Sequence, residues 1–248
     1  EGTEIWIKNE SLNPTGTYKD RPASVSVSKA KELGAIGVIV ASDGNAAPAV
    51  AAYAAKGKIG CIVLMPCDTP ELRYFQACAY GAQVVLVKGN INDCLDLAGQ
   101  IFSRIGYHNC CTSNIYNPYQ IEGSKTIAFE IFEQMEDVPD WIAVPVGGGS
   151  FLSAVAKGFL ELKSASKINA IPKLLAVQAS NCAPLSEAFS TDGIIKEFKN
   201  RKKTIAFTIA LPYPPDGVMA LEYLRQSKGC AITLTEDEIM EAVLRLST

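Results

Sequence analysis

Three short stretches carry residue types that chemistry needs. In the first, Asn13 to Pro22 (NPTGTYKDRP), turn residues lead into a helix carrying Lys29 and Lys31 and put Lys19 at its entry. Desolvation or a neighbouring cation at such a place favours a neutral, nucleophilic amine that can form an imine. A surface lysine paired with Asp20 accounts for the same residues, and from this segment alone it is the stronger reading. In the second, Ser42 to Asn45 (SDGN) follows an apolar run and precedes Ala46, Ala47 and Pro48. Asn or Asp before a helix with proline in its first turn is ordinary capping. A loop after a parallel strand is also where α/β proteins bind ligands, and the Asn45 amide can donate to an aromatic oxygen. The third, Val144 to Ser150 (VPVGGGS), reads as strand, glycine run and helix start. Glycines let backbone N–H groups close around an anion, and the helix N-terminus adds positive potential. The stretch has neither a Walker lysine nor GxGxxG spacing, so an anion cradle that is not a nucleotide site is the better reading, with a structural turn as the alternative.

The elements that must position these residues alternate along the chain. Runs rich in Ile, Val and Leu at Ile36 to Ala41, Gly60 to Met65, Gln83 to Val87, Trp141 to Val146, Lys173 to Gln178 and Cys230 to Leu234 lack polar alternation, as parallel strands buried on both faces do. Between them, Ile91, Cys94, Leu95, Ala98, Ile101, Phe102 and Ile105, and then Ile127, Ala128, Ile131, Phe132 and Met135, keep helical spacing. The pattern is βαβ, an α/β protein with mostly parallel sheets. Thr235 to Glu238 (TEDE) reads as a capping box, opening a helix whose inner stripe is Ile239, Ala242, Val243 and Leu246. Glu4 to Asn9 reads as a further strand, and Lys196 to Lys203 as a solvated helix-to-strand connection. With no initiator Met and no stop signal after the last helix, both ends look cut.

With 248 residues and 48% apolar composition, the chain can build a sizeable core. A net charge of -3 with scattered basic residues offers no footprint for nucleic acid or an anionic membrane. No apolar run approaches the roughly 18 residues of a membrane helix, so a soluble, cytoplasmic protein is expected, with small-molecule or subunit partners. His108 is the single histidine, which argues against a His-based triad or a multi-His metal site. The eight cysteines contain no CxxC, and most occupy apolar positions of strands or helices. They are expected to be buried, reduced thiols, and no metal is expected.

Taken together, these stretches resemble the fold-type-II pyridoxal-phosphate (PLP) enzymes, specifically the threonine synthase and serine/threonine dehydratase group, over essentially the whole chain. The resemblance rests on Leu12 to Arg21 (LNPTGTYKDR), Ser42 to Asn45 with Ala51 to Ala55 (AAYAA), Asn117 to Thr126 (NPYQIEGSKT), Pro145 to Gly149 (PVGGG), and Val177 to Ala179 (VQA) with Ala183 to Leu185 (APL). It implies a tryptophan-synthase-β-like fold of two open α/β domains, a smaller one over 21–118 and a larger one from 1–20 and 119–248. It further implies pyridoxal 5'-phosphate as cofactor, Lys19 as its Schiff-base lysine and general base, Asn45 on its phenolic oxygen, and Gly147, Gly148, Gly149 and Ser150 around its phosphate. Homodimerisation and an amino-acid substrate follow from the same resemblance. PLP also accounts for the presence of only one histidine, because the cofactor is the electron sink and the protein supplies a lysine, an anchor and orientation.

The chain departs from this group where a substrate phosphate would be read. Where threonine synthases commonly have Ser-Thr-Gly-Asn-Thr, this chain has Asp43 and Ala46 beside Ser42. Where they have Asn-Ser-x-Asn-Pro-x-Arg, it has Asn114 to Gln120 (NIYNPYQ), with Ile115 for the serine and Gln120 for the arginine. Each charge-assisted hydrogen bond lost is worth roughly 1.5 to 3 kcal/mol. The expectation is a lyase or synthase acting at the side chain of a less anionic amino acid. Ser42, Asp43, Ala46, Asn114 and Gln120 are the candidate substrate residues. Threonine synthase itself is the runner-up if Arg21 or Arg73 compensates. A non-catalytic PLP-fold relative is the reading from another class. The group's Ser or Thr facing the pyridine nitrogen belongs to a segment expected beyond Thr248.

Overall fold

In the computed structural model, which describes residues 4–135 and 137–246, the chain divides into two units. One comprises Glu1–Thr112 with Tyr116–Ser124, the other Ser113–Ile115 with Lys125–Thr248. Lys19 and Asp20, expected with the larger domain, group with the first unit. Their side chains bind within it, Asp20 accepting from Thr15 and Lys19 donating to Thr112.

The first unit runs α1 (Asp20–Glu32), β1 (Gly37–Ala41), α2 (Ala46–Gly57), β2 (Gly60–Pro66), α3 (Glu71–Ala79), β3 (Gln83–Val87), α4 (Ile91–Ile101), β4 (Tyr107–Asn109) and α5 (Gln120–Ser124). Its sheet has the order β3-β2-β1-β4, with all neighbours parallel. Every residue of β1 is buried. Because strand side chains alternate, Val38 and Val40 enter a core with α1 and α2, while Ile39 and Ala41 enter another with α4. This two-sided burial is why the run shows no polar alternation. Gly123 of α5 lies against α1 so closely that a Cβ there would collide with the Arg21 carbonyl.

The second unit runs α6 (Thr126–Met135), β5 (Trp141–Pro145), α7 (Ser150–Ser164), β6 (Lys173–Ala179), α8 (Pro184–Ser190), α9 (Gly217–Gln226), β7 (Cys230–Leu234) and α10 (Glu236–Leu246). Its sheet, β5-β6-β7, is parallel. Val144, Leu174 and Ala176 pack with Leu152, Phe159 and Leu224 in a single core.

The six apolar runs all become strands, with small shifts at their ends, and the α/β architecture with parallel sheets is as expected. Four local readings differ. Glu4 to Asn9 forms no strand, and Ile5, Trp6 and Ile7 are exposed; an extended segment becomes a strand only when a neighbour pairs its backbone. The strand β4 has no counterpart among the expected strands, because YHN offers no apolar run. The capping box forms, with Glu238 N–H donating to Thr235 Oγ1 at 3.3 Å and Thr235 N–H to Glu238 Oε2 at 2.8 Å. Yet no residue of α10 is buried, and Val243 and Leu246 are exposed. A cap is a local device, whereas burying a stripe needs an element packed over it. Lys196 to Lys203 is irregular and leads from α8 towards α9 rather than into a strand. Among the described residues no helix is long and apolar enough to cross a membrane.

Candidate active site

In the first unit Lys19 occupies the N-cap position of α1 without a side-chain cap. Its own N–H donates to Thr17 Oγ1 at 3.0 Å and its carbonyl accepts from Ala23 N–H at 3.1 Å, so its backbone is fixed at the helix start. Its amine donates to Thr112 Oγ1 at 3.0 Å and lies 4.8 Å from the centre of the Tyr18 ring. The alternative pairing with Asp20 does not form. Asp20 is buried, its Oδ2 accepts the Thr15 N–H and hydroxyl, each at 2.9 Å, and its Oδ1 has no partner among the described residues. Among the described residues no carboxylate pairs with the Lys19 amine.

Thr112 follows β4 at the C-terminal edge of the sheet. The Cys111 thiol accepts the Ala41 N–H at 3.1 Å, and Cys111 N–H donates to Asn109 Oδ1 at 2.9 Å. Burial pushes the Cys111 thiol up to about 12, so it stays protonated and serves as an anchor. Ala41 also ends β1, the strand that feeds Ser42 to Asn45. The Lys19 amine and the Ser42 turn are therefore brought to the same edge, where parallel sheets place ligands. Ser42 Oγ accepts the Gly44 N–H at 3.1 Å. Asn45 takes the N-cap position of α2, but its amide makes no cap bond and is exposed. Capping therefore does not consume that group. Ala46 and Gln120 are buried.

In the second unit β5 ends at the glycine turn, and α7 begins at Ser150 with Gly149 as N-cap at φ 92°. That left-handed conformation suits glycine. A Cβ on Gly149 would stand 2.8 Å from the Asp216 carbonyl oxygen, and one on Gly147 3.1 Å from Ile209 Cα. The turn thus depends on the segment packed behind it. The opening N–H groups of a helix have no intrahelical acceptor, so this end of the 15-residue α7 offers donors and positive potential to an anion.

Two residues that sequence reasoning did not assign hold this turn. The amide of buried Gln178 donates to the Val146 carbonyl at 3.1 Å, and its oxygen accepts the Leu185 and Ser186 N–H groups, both at 3.0 Å. Asp216, also buried, donates its N–H to the Gly148 carbonyl at 2.9 Å. Its carboxylate accepts the Asn114 N–H at 3.0 and 3.2 Å. Asn114 and the glycine turn are thereby linked. Pro214, Pro215 and Asp216 before α9 were a visible helix-start signal. The carboxylate caps nothing on its own helix and reaches back to Asn114 instead.

A family model described as pyridoxal-phosphate dependent enzyme matches residues 1–248. The chain belongs to this family. It is 41% identical over 242 residues to a threonine synthase of Methanocaldococcus jannaschii, covering 96% of the chain and 59% of that relative. Among solved structures it resembles a serine racemase from Dictyostelium discoideum, with a TM-score of 0.77, 26% identity, and coverage of 97% of this chain and 73% of that one. A T.th. threonine deaminase gives the same TM-score and identity, with coverage of 94% and 72%. The fold is therefore that of the fold-type-II PLP enzymes, and pyridoxal 5'-phosphate is the cofactor the family implies. The donor set fits it: an amine free of carboxylate pairing, an uncommitted amide at the same sheet edge, and a glycine turn at a helix start.

Proposed function

We propose that the full-length protein is a PLP-dependent lyase or synthase that eliminates or replaces a group on an amino-acid side chain. The observation that carries this reading is the Lys19 amine held by a neutral hydroxyl with no carboxylate against it. When bound, the cofactor supplies the electron sink for breaking bonds beside the amino group. Lys19 would be its anchor, and its freed amine would move the proton at the substrate Cα. The Asn45 amide would donate to the cofactor's phenolic oxygen. The N–H groups of Gly147, Gly148 and Gly149, with Ser150, would take its phosphate, and Gln178 and Asp216 keep that turn in shape.

The preferred substrate, on this reading, is less anionic than O-phosphohomoserine, with Ser42, Asp43 and Asn114 nearest in role to the group's substrate residues. Ala46 and Gln120 carry no charge, Asp43 adds one of the wrong sign, and Arg21 is engaged bidentately by Glu10 at 2.6 and 2.8 Å. Threonine synthase activity remains the second reading, favoured by the 41% identity to a threonine synthase. The full-length protein should show a visible cofactor absorption band that is lost in Lys19→Ala, and it should turn over serine or threonine faster than O-phosphohomoserine. Efficient conversion of O-phosphohomoserine alone selects the second reading, and no band at all removes both. The homodimer implied by the resemblance predicts twice the chain mass in sedimentation equilibrium.

A further inference from the structure

We infer that Thr112 is a positioning residue for Lys19, its hydroxyl aiming the amine whenever that amine has no covalent partner. The inference rests on Lys19 being the cofactor anchor and adds how the anchor is kept ready. The two residues are 93 positions apart, yet Lys19 Nζ stands 3.0 Å from Thr112 Oγ1. A lysine side chain has many accessible rotamers, so an amine without an acceptor would spread over many positions.

Both ends of this contact are held. The Lys19 backbone is pinned by Thr17 and Ala23. Thr112 follows directly on Cys111, which is tied to β1 through Ala41 and to Asn109, while Cys110 N–H donates to the Ile39 carbonyl at 2.8 Å. Threonine is β-branched and stiff at χ1, so fixing its backbone also fixes the direction of its hydroxyl. The chemical nature of the acceptor matters equally. A carboxylate at this distance would favour the charged ammonium, which is no nucleophile. A hydroxyl is neutral, so this contact does not lock Lys19 into an ion pair.

The test uses full-length protein stripped of cofactor, with Thr112→Val removing the hydroxyl at nearly constant shape and Thr112→Ser keeping it. One readout is the rate at which the visible band returns when PLP is added. The other is the rate of amine acetylation at Lys19 in the stripped protein, followed by peptide mass spectrometry, which needs no catalysis. The loss of one hydrogen bond corresponds to about a three- to tenfold slower return of the band in Thr112→Val, with Thr112→Ser within about twofold of the unmodified protein. The Lys19 acetylation rate should change in Thr112→Val and be restored in Thr112→Ser. Return at the unmodified rate in Thr112→Val, or equal slowing in both variants, overturns the role of the hydroxyl. A band that persists in Lys19→Ala overturns the anchor itself, and the inference falls with it.

Discussion

The two units are built on the same parallel βαβ plan but are sealed differently. In the first, β1 is buried along its whole length, with one core on each face of the sheet. In the second, a single core forms around β5, β6 and β7 and α10 buries nothing, while outer strands are partly exposed in both units, at Val85 and Leu86 of β3 and at Trp141 and Ile232. The runs GVIVA, WIAVP and CAITL look equivalent in the sequence. The difference shows that an apolar run reports the capacity to be covered on two faces, while helices elsewhere in the chain decide whether it is. It also separates the two halves of the chemistry. The amine and amide sit at the edge of the doubly covered sheet, and the anion cradle depends on the segment packed behind it.

The largest expected effect tests the single core. Phe159 is fully buried there, and Phe159→Ala should cost about 3 to 5 kcal/mol. Peptide-resolved hydrogen exchange should show the lost protection concentrated in β5, β6 and α7. An equal loss in β1 and β2 would break the comparison. Next in size is Gly149→Ala, where the positive φ and the approach to Asp216 predict about 1 to 3 kcal/mol of strain, seen as a lower unfolding midpoint and weaker PLP binding in the full-length protein. A smaller effect belongs to His108 on β4, whose Nε2 is buried without a partner among the described residues. Burial, with a lesser contribution from the Lys29 charge, holds its pKa below the ordinary 6.5. The unfolded chain then binds the proton more readily, so this contribution to stability is complete above the ordinary value and is lost as pH falls from there towards the folded value. As the single histidine, its Hδ2 and Hε1 ring signals can be followed in NMR without overlap from another imidazole, and a midpoint at or above 6.5 would contradict the lowered pKa. The smallest effect costs no stability. Cys67 and Cys78 are exposed and should react with a thiol reagent at once, whereas Cys61, Cys94, Cys110 and Cys111 are buried and should wait for the first unit to open. Burial raises Cys61 to about 12 and Cys94 to about 11, which slows them further.

Much of this protein is written in local patterns. Branched apolar runs marked the strands, the Thr235 to Glu238 pattern marked a cap that forms, and Lys19, Asn45 and the glycine run supplied residue types suited to a PLP enzyme. The strand and cap readings succeed because such runs and caps depend on neighbours a few positions away. Where the answer lay in distant contacts, the sequence was silent or misleading. Nothing local favours Thr112 over Asp20 as the partner of Lys19, or directs the Asp216 carboxylate to Asn114, 102 residues away. The same limit explains Glu4 to Asn9, extended without a partner strand, and α10, amphipathic without a cover. Residue types and turns set what chemistry and which elements were possible. Only the tertiary structure chose the partners, because a hydrogen bond or a buried face needs a second group whose arrival depends on the whole path of the chain.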